Sequence, residues 1–147
     1  MPSASHKPFE AHKGPVVIVD ADIGDALHAE EVIAALYPSL PVQLLTFGED
    51  LTAYLQGEDL YKDRSRYPYP CLIVLDLKQP KTDGFRVLHW IRGHPEHGGV
   101  PIVALCDEAR MTEHGSLAYQ LGACHVLPKP VQQRDIQHTF TYLKISF

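Results

Sequence analysis

The sequence predicts an α/β domain built on a five-stranded parallel sheet that is doubly wound, with helices on both faces. Short apolar runs rich in Val, Ile and Leu recur along the chain without polar alternation. Such runs indicate strands that are buried on both faces. Between them, apolar residues recur at helical spacing. Strands that alternate with helices form parallel sheets covered on both sides.

The elements follow one another as βα units without internal repeats. The predicted strands are residues 15–19, 42–47, 71–75, 100–105 and 124–127. The helices are indicated by Ala26, Ala29, Ile33 and Leu36; by Leu51, Tyr54 and Leu55; by Phe85, Leu88 and Ile91; by Met111, Ala118 and Leu121; and by Ile136, Phe140 and Leu143. Gly or Pro residues near the helix ends are typical end signals. Pro128 and Pro130 predict that the last strand lies at a sheet edge, because neither residue can donate to a ladder.

Length and charge limit the classes of function. A chain of 147 residues predicts one domain with a full core. The net charge of -5 provides no basic surface, which argues against nucleic acid as a direct partner. No apolar run approaches the length that spans a membrane. We find no glycine-rich dinucleotide motif and no P-loop lysine motif, so nucleotide binding has no support.

The N-terminus and the cysteines predict a cytoplasmic protein. Residues 1–13 are polar and lack the apolar core of a secretory signal, so we expect a disordered tail before a domain at 14–147. Three widely spaced cysteines, Cys71, Cys106 and Cys124, argue against a disulfide framework or a zinc site. A reducing compartment fits these features.

Residues 57–70, GEDLYKDRSRYPYP, form an unusually long predicted loop that is rich in charge, Tyr and Pro. We favour a surface insertion. The alternative is a partner-binding loop, because exposed tyrosines are good contact residues at protein interfaces.

Polar side chains stand at the ends of the predicted buried strands. Asp20 and Asp22 follow the first strand, Asp76 the third, Cys106 and Asp107 the fourth, and Lys129 the last. Parallel strands bring these ends to one sheet edge, where ligands bind in open α/β folds. Carboxylates suit Mg²⁺, and a lysine can hold a phosphoryl oxygen. Together these groups can support phosphoryl transfer onto a carboxylate.

Four motifs resemble the receiver domain of bacterial two-component response regulators. They are VVIVDAD, LIVLDLKQPKTDGFRVL, PIVALCD and LGACHVLPKP, and the second places Pro80 and Gly84 at fixed distances after Asp76. The resemblance implies a flavodoxin-like strand order of 2-1-3-4-5. The segment YLQGEDLYKDRSRYPYP is similar to a subset of stand-alone receivers, some of them partners of phytochrome-type kinases.

The resemblance assigns roles by position. Asp76 matches the phosphoacceptor, Lys129 the lysine that contacts the phosphoryl group, and Pro130 the following cis-proline. Asp20 matches an acid of the Mg²⁺ pocket, which Asp76 and the backbone carbonyl of Lys78 complete. The family implies a signalling protein rather than an enzyme.

Four positions depart from the family pattern. Ala21 replaces an acidic metal ligand, so we expect weak Mg²⁺ binding. Cys106 replaces the Thr or Ser that bonds the phosphoryl group, and a thiol is a weak donor. Asp107 replaces a small residue and could repel a phosphoryl group, while Val126 replaces the aromatic switch residue. We interpret Asp22 as a helix N-cap, with a compensating metal-ligand role as the alternative.

Two functions remain open at this point. The first is a single-domain response regulator that a histidine kinase or phosphotransfer protein phosphorylates on Asp76. Its output would be contact with a downstream protein, since no output domain is expected after the last helix. The alternative is a phosphorylation-independent pseudo-receiver that acts as a binding module, in which Lys129 forms an ion pair with Asp76 in an inactive site. A small flavodoxin-like enzyme is weakly supported, because no nucleophile–base pair is evident.

Overall fold

The computed structural model describes residues 14–78 and 84–143. The expected N-terminal tail and Pro80 lie outside these residues. Within them, no helix is long and apolar enough to cross a membrane. The three cysteines are free thiols.

Five strands form one parallel sheet. They are β1 (Val16–Val19), β2 (Val42–Leu45), β3 (Leu72–Asp76), β4 (Ile102–Asp107) and β5 (His125–Lys129). Their order is β2-β1-β3-β4-β5, and every neighbouring pair is parallel. The predicted fold class and strand order are therefore confirmed. β5 lies at one edge, as the two prolines around Lys129 predicted.

Helices cover both faces of the sheet. They are α1 (Ile23–Leu36), α2 (Gly48–Gln56), α3 (Gly84–Arg92), α4 (Met111–Gln120) and α5 (Gln133–Tyr142). Residues that alternate along each central strand point to opposite faces. Val17 and Ile73 accordingly pack under α2, α3 and α4, whereas Ile18 and Val74 pack under α1 and α5. This double burial is the physical reason why the strands read as continuous apolar runs.

The carboxyl ends of four strands differ from the prediction. β2 ends at Leu45 rather than at residue 47, and β3 extends to Asp76 rather than ending at residue 75. β4 was expected to end at Leu105 and β5 at Leu127, but the ladder continues until Asp107 pairs with Lys129. Pairing between β4 and β5 continues through these polar residues because each strand still offers backbone hydrogen-bond partners to the other. Lys129 is therefore fixed by the sheet rather than carried on a loop.

The segment 57–70 is packed against the domain, so the idea of exposed tyrosines in it is wrong. Tyr61, Tyr67 and Tyr69 are partly buried against the core, and residues 59–62 form a short 3₁₀ helix. The buried Tyr54 hydroxyl of α2 donates to Pro68 O at 2.8 Å. The Arg64 guanidinium donates to Leu55 O at 3.0 Å and to Tyr67 O at 3.2 Å. These bonds attach the segment to α2.

Candidate functional site

Asp20 and Asp76 lie side by side at the sheet edge, because β1 and β3 are neighbours. Each is only 4% exposed. Asp20 Oδ1 accepts a hydrogen bond from Asp22 N–H at 2.9 Å. Asp76 Oδ1 accepts one from Lys78 N–H at 3.1 Å. In both cases, the backbone just after the strand orients the carboxylate and leaves its second oxygen towards Lys129.

The Lys129 ammonium bridges the two strand-end carboxylates. Its Nζ lies 3.0 Å from Asp20 Oδ2 and 3.2 Å from Asp76 Oδ2. Asp20 Oδ2 is buried and has no hydrogen bond of good geometry among the described residues, so its contact with Lys129 is ionic. The structure thus brings together the three residues that the sequence placed at this edge.

Asp25 is a member of the cluster that the sequence reasoning missed. Its Oδ2 lies 2.8 Å from Lys129 Nζ, the shortest of the ammonium's contacts with carboxylates. Asp25 lies in the first turn of α1, where its N–H donates to the side chain of Asp22 at 3.0 Å. The N-cap interpretation of Asp22 is therefore confirmed. The sequence did contain a signal for Asp25. The N-cap at Asp22 places the residue three positions later, Asp25, in the first turn of the helix beside the sheet edge.

Burial dominates the electrostatics of Asp76. It raises the pKa of the carboxyl to about 6, and the negative charge of Asp20 adds to the increase, while the Lys78 N–H and Lys129 oppose it. Burial alone would lower the pKa of Lys129. Its close contacts with Asp25 and Asp20, together with the charge of Asp76, outweigh burial and raise the pKa overall. Lys129 therefore stays charged at every physiological pH.

A divalent cation would meet mainly carboxylate oxygens here. A cavity of about 420 Å³ is lined by Ala21, Asp22, Asp25, Asp76, Lys78, Asp107 and Lys129. This donor set suits a hard cation, although the Ala21 side chain offers no oxygen. No set of three His, Cys, Asp or Glu side chains among the described residues is arranged to hold a metal ion. Asp20 and Asp76 would therefore need backbone and water oxygens to complete a Mg²⁺ site.

The Cys106 thiol is directed into the core. Its Sγ donates to Met111 Sδ at 3.3 Å, and the residue is buried. Burial raises the pKa of the thiol, and the charges of Asp107 and Asp76 raise it further. Cys106 lines a neighbouring cavity of about 430 Å³ together with Phe85 and His114. A contact between Cys106 and a phosphoryl group thus stays a prediction that would require the side chain to rotate.

Two features around the edge match the motif pattern. The Lys129–Pro130 peptide bond is cis. Gly84 begins α3 directly against the end of β3, where its N–H donates to Leu77 O at 2.9 Å. A Cβ at Gly84 would lie 2.6 Å from Leu77 Cα, so only glycine fits without a shift of backbone.

Val126 is buried in β5 and does not provide a ring at this position. Its N–H donates to the hydroxyl of Tyr119, an exposed side chain of α4, at 3.2 Å. Its side chain packs near Gly115, where an added Cβ would stand 3.7 Å from Val126 Cγ1. α4 therefore contacts β5 through a small glycine surface and a tyrosine hydroxyl.

Comparisons with known proteins agree with this geometry. The family model described as the response regulator receiver domain matches residues 16–141. The response regulator Rcp1 of Synechocystis sp. is 31% identical over 90 residues, which are 61% of this chain and 59% of Rcp1. Other curated relatives are matched over about a quarter of their own length. The chain thus spans less than two thirds of each of these relatives.

Solved structures show the same arrangement of elements. The bacteriophytochrome response regulator RtBRR superposes with a TM-score of 0.80 at 25% identity, over 91% of this chain and 80% of RtBRR. The phosphorylated cyanobacterial phytochrome response regulator RcpA gives a TM-score of 0.68 at 26% identity, over 89% of each chain. With the family match over most of its length, this chain belongs to the response regulator receiver domain family of two-component signalling.

Proposed function

We propose that this protein accepts a phosphoryl group on Asp76 and signals through contact with a downstream protein. Receiver domains are typically signalling modules that interact with histidine kinases and downstream partners. The observation that carries the proposal is the pair of buried carboxylates, Asp20 and Asp76, that share the Lys129 ammonium. Burying two like charges together is costly, which favours a functional reason for the arrangement.

The proposed donor is a phosphohistidine of a histidine kinase or a phosphotransfer protein. Asp76 Oδ2 forms the new P–O bond while the P–N bond breaks, and the imidazole leaves with the electron pair and takes up a proton. The hydrogen bond from Lys78 N–H to Oδ1 supports Oδ2 as the attacking atom, because it fixes the carboxylate in one orientation. Lys129 then contacts the transferred group as a point charge.

Mg²⁺ is the proposed cofactor, and it would neutralise charge on the phosphoryl oxygens when bound. Asp20, Asp76 and the backbone carbonyl of Lys78 are its proposed ligands, and a compensating ligand role for Asp22 is the alternative to three ligands only. The response regulator Rcp1 has been solved in a Mn(2+)-bound form, which supports a divalent cation as a cofactor here. We expect weak affinity because Ala21 supplies no carboxylate.

The proposal also covers the phosphoryl donor, the cellular compartment and the bounds of the domain. Similarity to RtBRR supports a phytochrome-type histidine kinase as the donor. The three free cysteines support a reducing cytoplasm. The receiver is proposed to occupy residues 14–147, after the tail.

Treatment with acetyl phosphate and Mg²⁺ tests the function directly. Intact-mass spectrometry should detect one added phosphoryl group on the unmodified protein. Asp76→Asn should abolish the addition, and Asp63→Asn, a matched change at an exposed aspartate of the 57–70 segment, should leave it unchanged. An unlabelled protein at saturating Mg²⁺ would instead indicate the phosphorylation-independent binding module.

A further inference from the structure

The ammonium of Lys129 contacts three carboxylates at once. Asp25, Asp20 and Asp76 lie 2.8, 3.0 and 3.2 Å from its Nζ, and the Lys129 side chain is 14% exposed. An ammonium group has three N–H donors and no more. Carboxylate oxygens therefore surround the ammonium at 3.2 Å or less, and an incoming phosphoryl oxygen has to displace one of them.

Asp25 is the carboxylate that can be released most easily. Its side chain is 45% exposed, whereas the side chains of Asp20 and Asp76 are 1% and 5% exposed. Water can replace Lys129 around a half-exposed carboxylate, but an unpaired buried carboxylate is strongly destabilising. The shortest contact of the ammonium is thus also the one that can be broken at the lowest cost.

We propose that Asp25 is a positioning residue that holds the Lys129 ammonium beside α1, and that it slows phosphorylation of Asp76 because Lys129 must leave it to follow the incoming phosphoryl group. This inference rests on the proposed phosphoacceptor role of Asp76. Asp25 acts through Lys129 and does not itself touch the reacting atoms. It also adds a negative charge to the rim of the cavity, where a phosphoryl donor would enter.

Three variants separate the contact with Lys129 from the negative charge at the rim of the cavity. Asp25→Asn removes the carboxylate that contacts Lys129 and keeps the size of the side chain. Asp107→Asn removes one negative charge from the rim of the same cavity, at a residue for which the structure records no ion pair with Lys129. Asp25→Glu keeps the carboxylate and should behave between the unmodified protein and Asp25→Asn.

The first measurement is proton exchange of the Lys129 ammonium by ¹⁵N NMR at one fixed pH, without any phosphoryl donor. Three carboxylate partners should make exchange slow in the unmodified protein. Exchange should accelerate several-fold in Asp25→Asn and stay the same in Asp107→Asn. Unchanged exchange in Asp25→Asn would overturn the proposal, because Asp25 would then not hold the ammonium.

The second measurement is the rate at which acetyl phosphate labels Asp76 at saturating Mg²⁺. The Asp76 oxygen forms a P–O bond while the bond from phosphorus to the acetyl oxygen breaks, and acetate leaves with the electron pair. Asp25→Asn should label roughly two- to fivefold faster than the unmodified protein, as loss of a partly exposed ion pair allows, and faster than Asp107→Asn. Equal or slower labelling in Asp25→Asn would overturn the proposal that Asp25 slows phosphorylation of Asp76.

The two measurements distinguish this inference from the function on which it rests. Labelling of the unmodified protein with unchanged ammonium exchange in Asp25→Asn supports the phosphoacceptor and rejects the role of Asp25. Faster ammonium exchange with no labelling in any variant rejects the phosphoacceptor and supports the hold of Asp25 on Lys129.

Discussion

Replacing Asp76 with Asn should stabilise the folded protein at neutral pH. Burial raises the pKa of this carboxyl from 3.8 to about 6 in the folded state. Between these two pH values the unfolded chain has released the proton while the folded chain retains it. The free energy of unfolding therefore falls as the pH rises through this window, and the cost is fully present above pH 6.

The size of the effect follows from the difference between the two pKa values. It corresponds to about 3 kcal/mol at neutral pH if the site stays rigid. Entry of water and relaxation of the pair with Lys129 reduce the cost, so we expect Asp76→Asn to raise the free energy of unfolding by about 1–3 kcal/mol. Asn can still accept the hydrogen bond that Lys78 N–H donates to Oδ1.

Urea unfolding of both proteins from pH 3.5 to pH 8 measures the effect. The difference between variant and unmodified protein should be smallest at the acid end, where Asp76 is mostly protonated in both states. It should grow across the window and become constant above it. Asp63→Asn is a control of opposite sign, because the side-chain and backbone hydrogen bonds of Ser65 lower the pKa of that exposed carboxyl.

Two results would refute this reasoning. If Asp76→Asn lowers stability at pH 7, the Asp76 carboxylate stabilises the fold, and Lys129 more than compensates its burial. If the difference in the free energy of unfolding does not change with pH, the folded and unfolded chains bind the Asp76 proton equally. Burial and the charge of Asp20 would then not raise the pKa of Asp76.

Three further outcomes are expected. Ala21→Asp should tighten Mg²⁺ binding in calorimetric titration, because it adds a carboxylate oxygen; equal affinity in the unmodified chain would point to substitute ligands. Cys106→Thr combined with Asp107→Ala should raise labelling of Asp76 by acetyl phosphate, since an unpaired phosphoryl oxygen costs about 1–3 kcal/mol; full labelling without these changes would contradict this. Burial lowers the pKa of His97 below 6.5, so stability from its neutral ring is full above pH 6.5 and is lost as the pH falls through the folded-state pKa. Unfolding of the unmodified protein and His97→Gln at several pH values checks this, and a constant difference would argue against it.

His97 also shows where sequence reasoning fails for single side chains. Gly93 and Pro95 end the predicted third helix, so the sequence favours a solvated helix end for His97 over a metal-ligand pair with His94. The structure instead buries His97, with its Nδ1 2.5 Å from the Tyr69 hydroxyl and its ring stacked near Trp90. Tyr69 lies 28 positions earlier in the chain, so no local pattern connects the two residues.

The sequence by itself determined the fold and the common edge of Asp20, Asp76 and Lys129. Strands buried on both faces are apolar through the core, so the first polar residue after such a run marks the approach to the edge of the sheet. Parallel pairing then brings such residues to one edge, whatever the details of packing. The spacing from Asp76 to Gly84 carries a similar constraint, because a side chain at Gly84 would strike the backbone of Leu77.

Only the tertiary structure decided which groups touch. Asp25 approaches Lys129 because α1 begins, and β5 ends, at the same edge of the sheet, where the long lysine side chain reaches the first turn of the helix. The Cys106 thiol donates to Met111 Sδ at the start of α4, a choice of rotamer that no strand or helix pattern predicts. Rotamers and contacts between distant segments depend on how all the elements pack together, and no local periodicity records that packing.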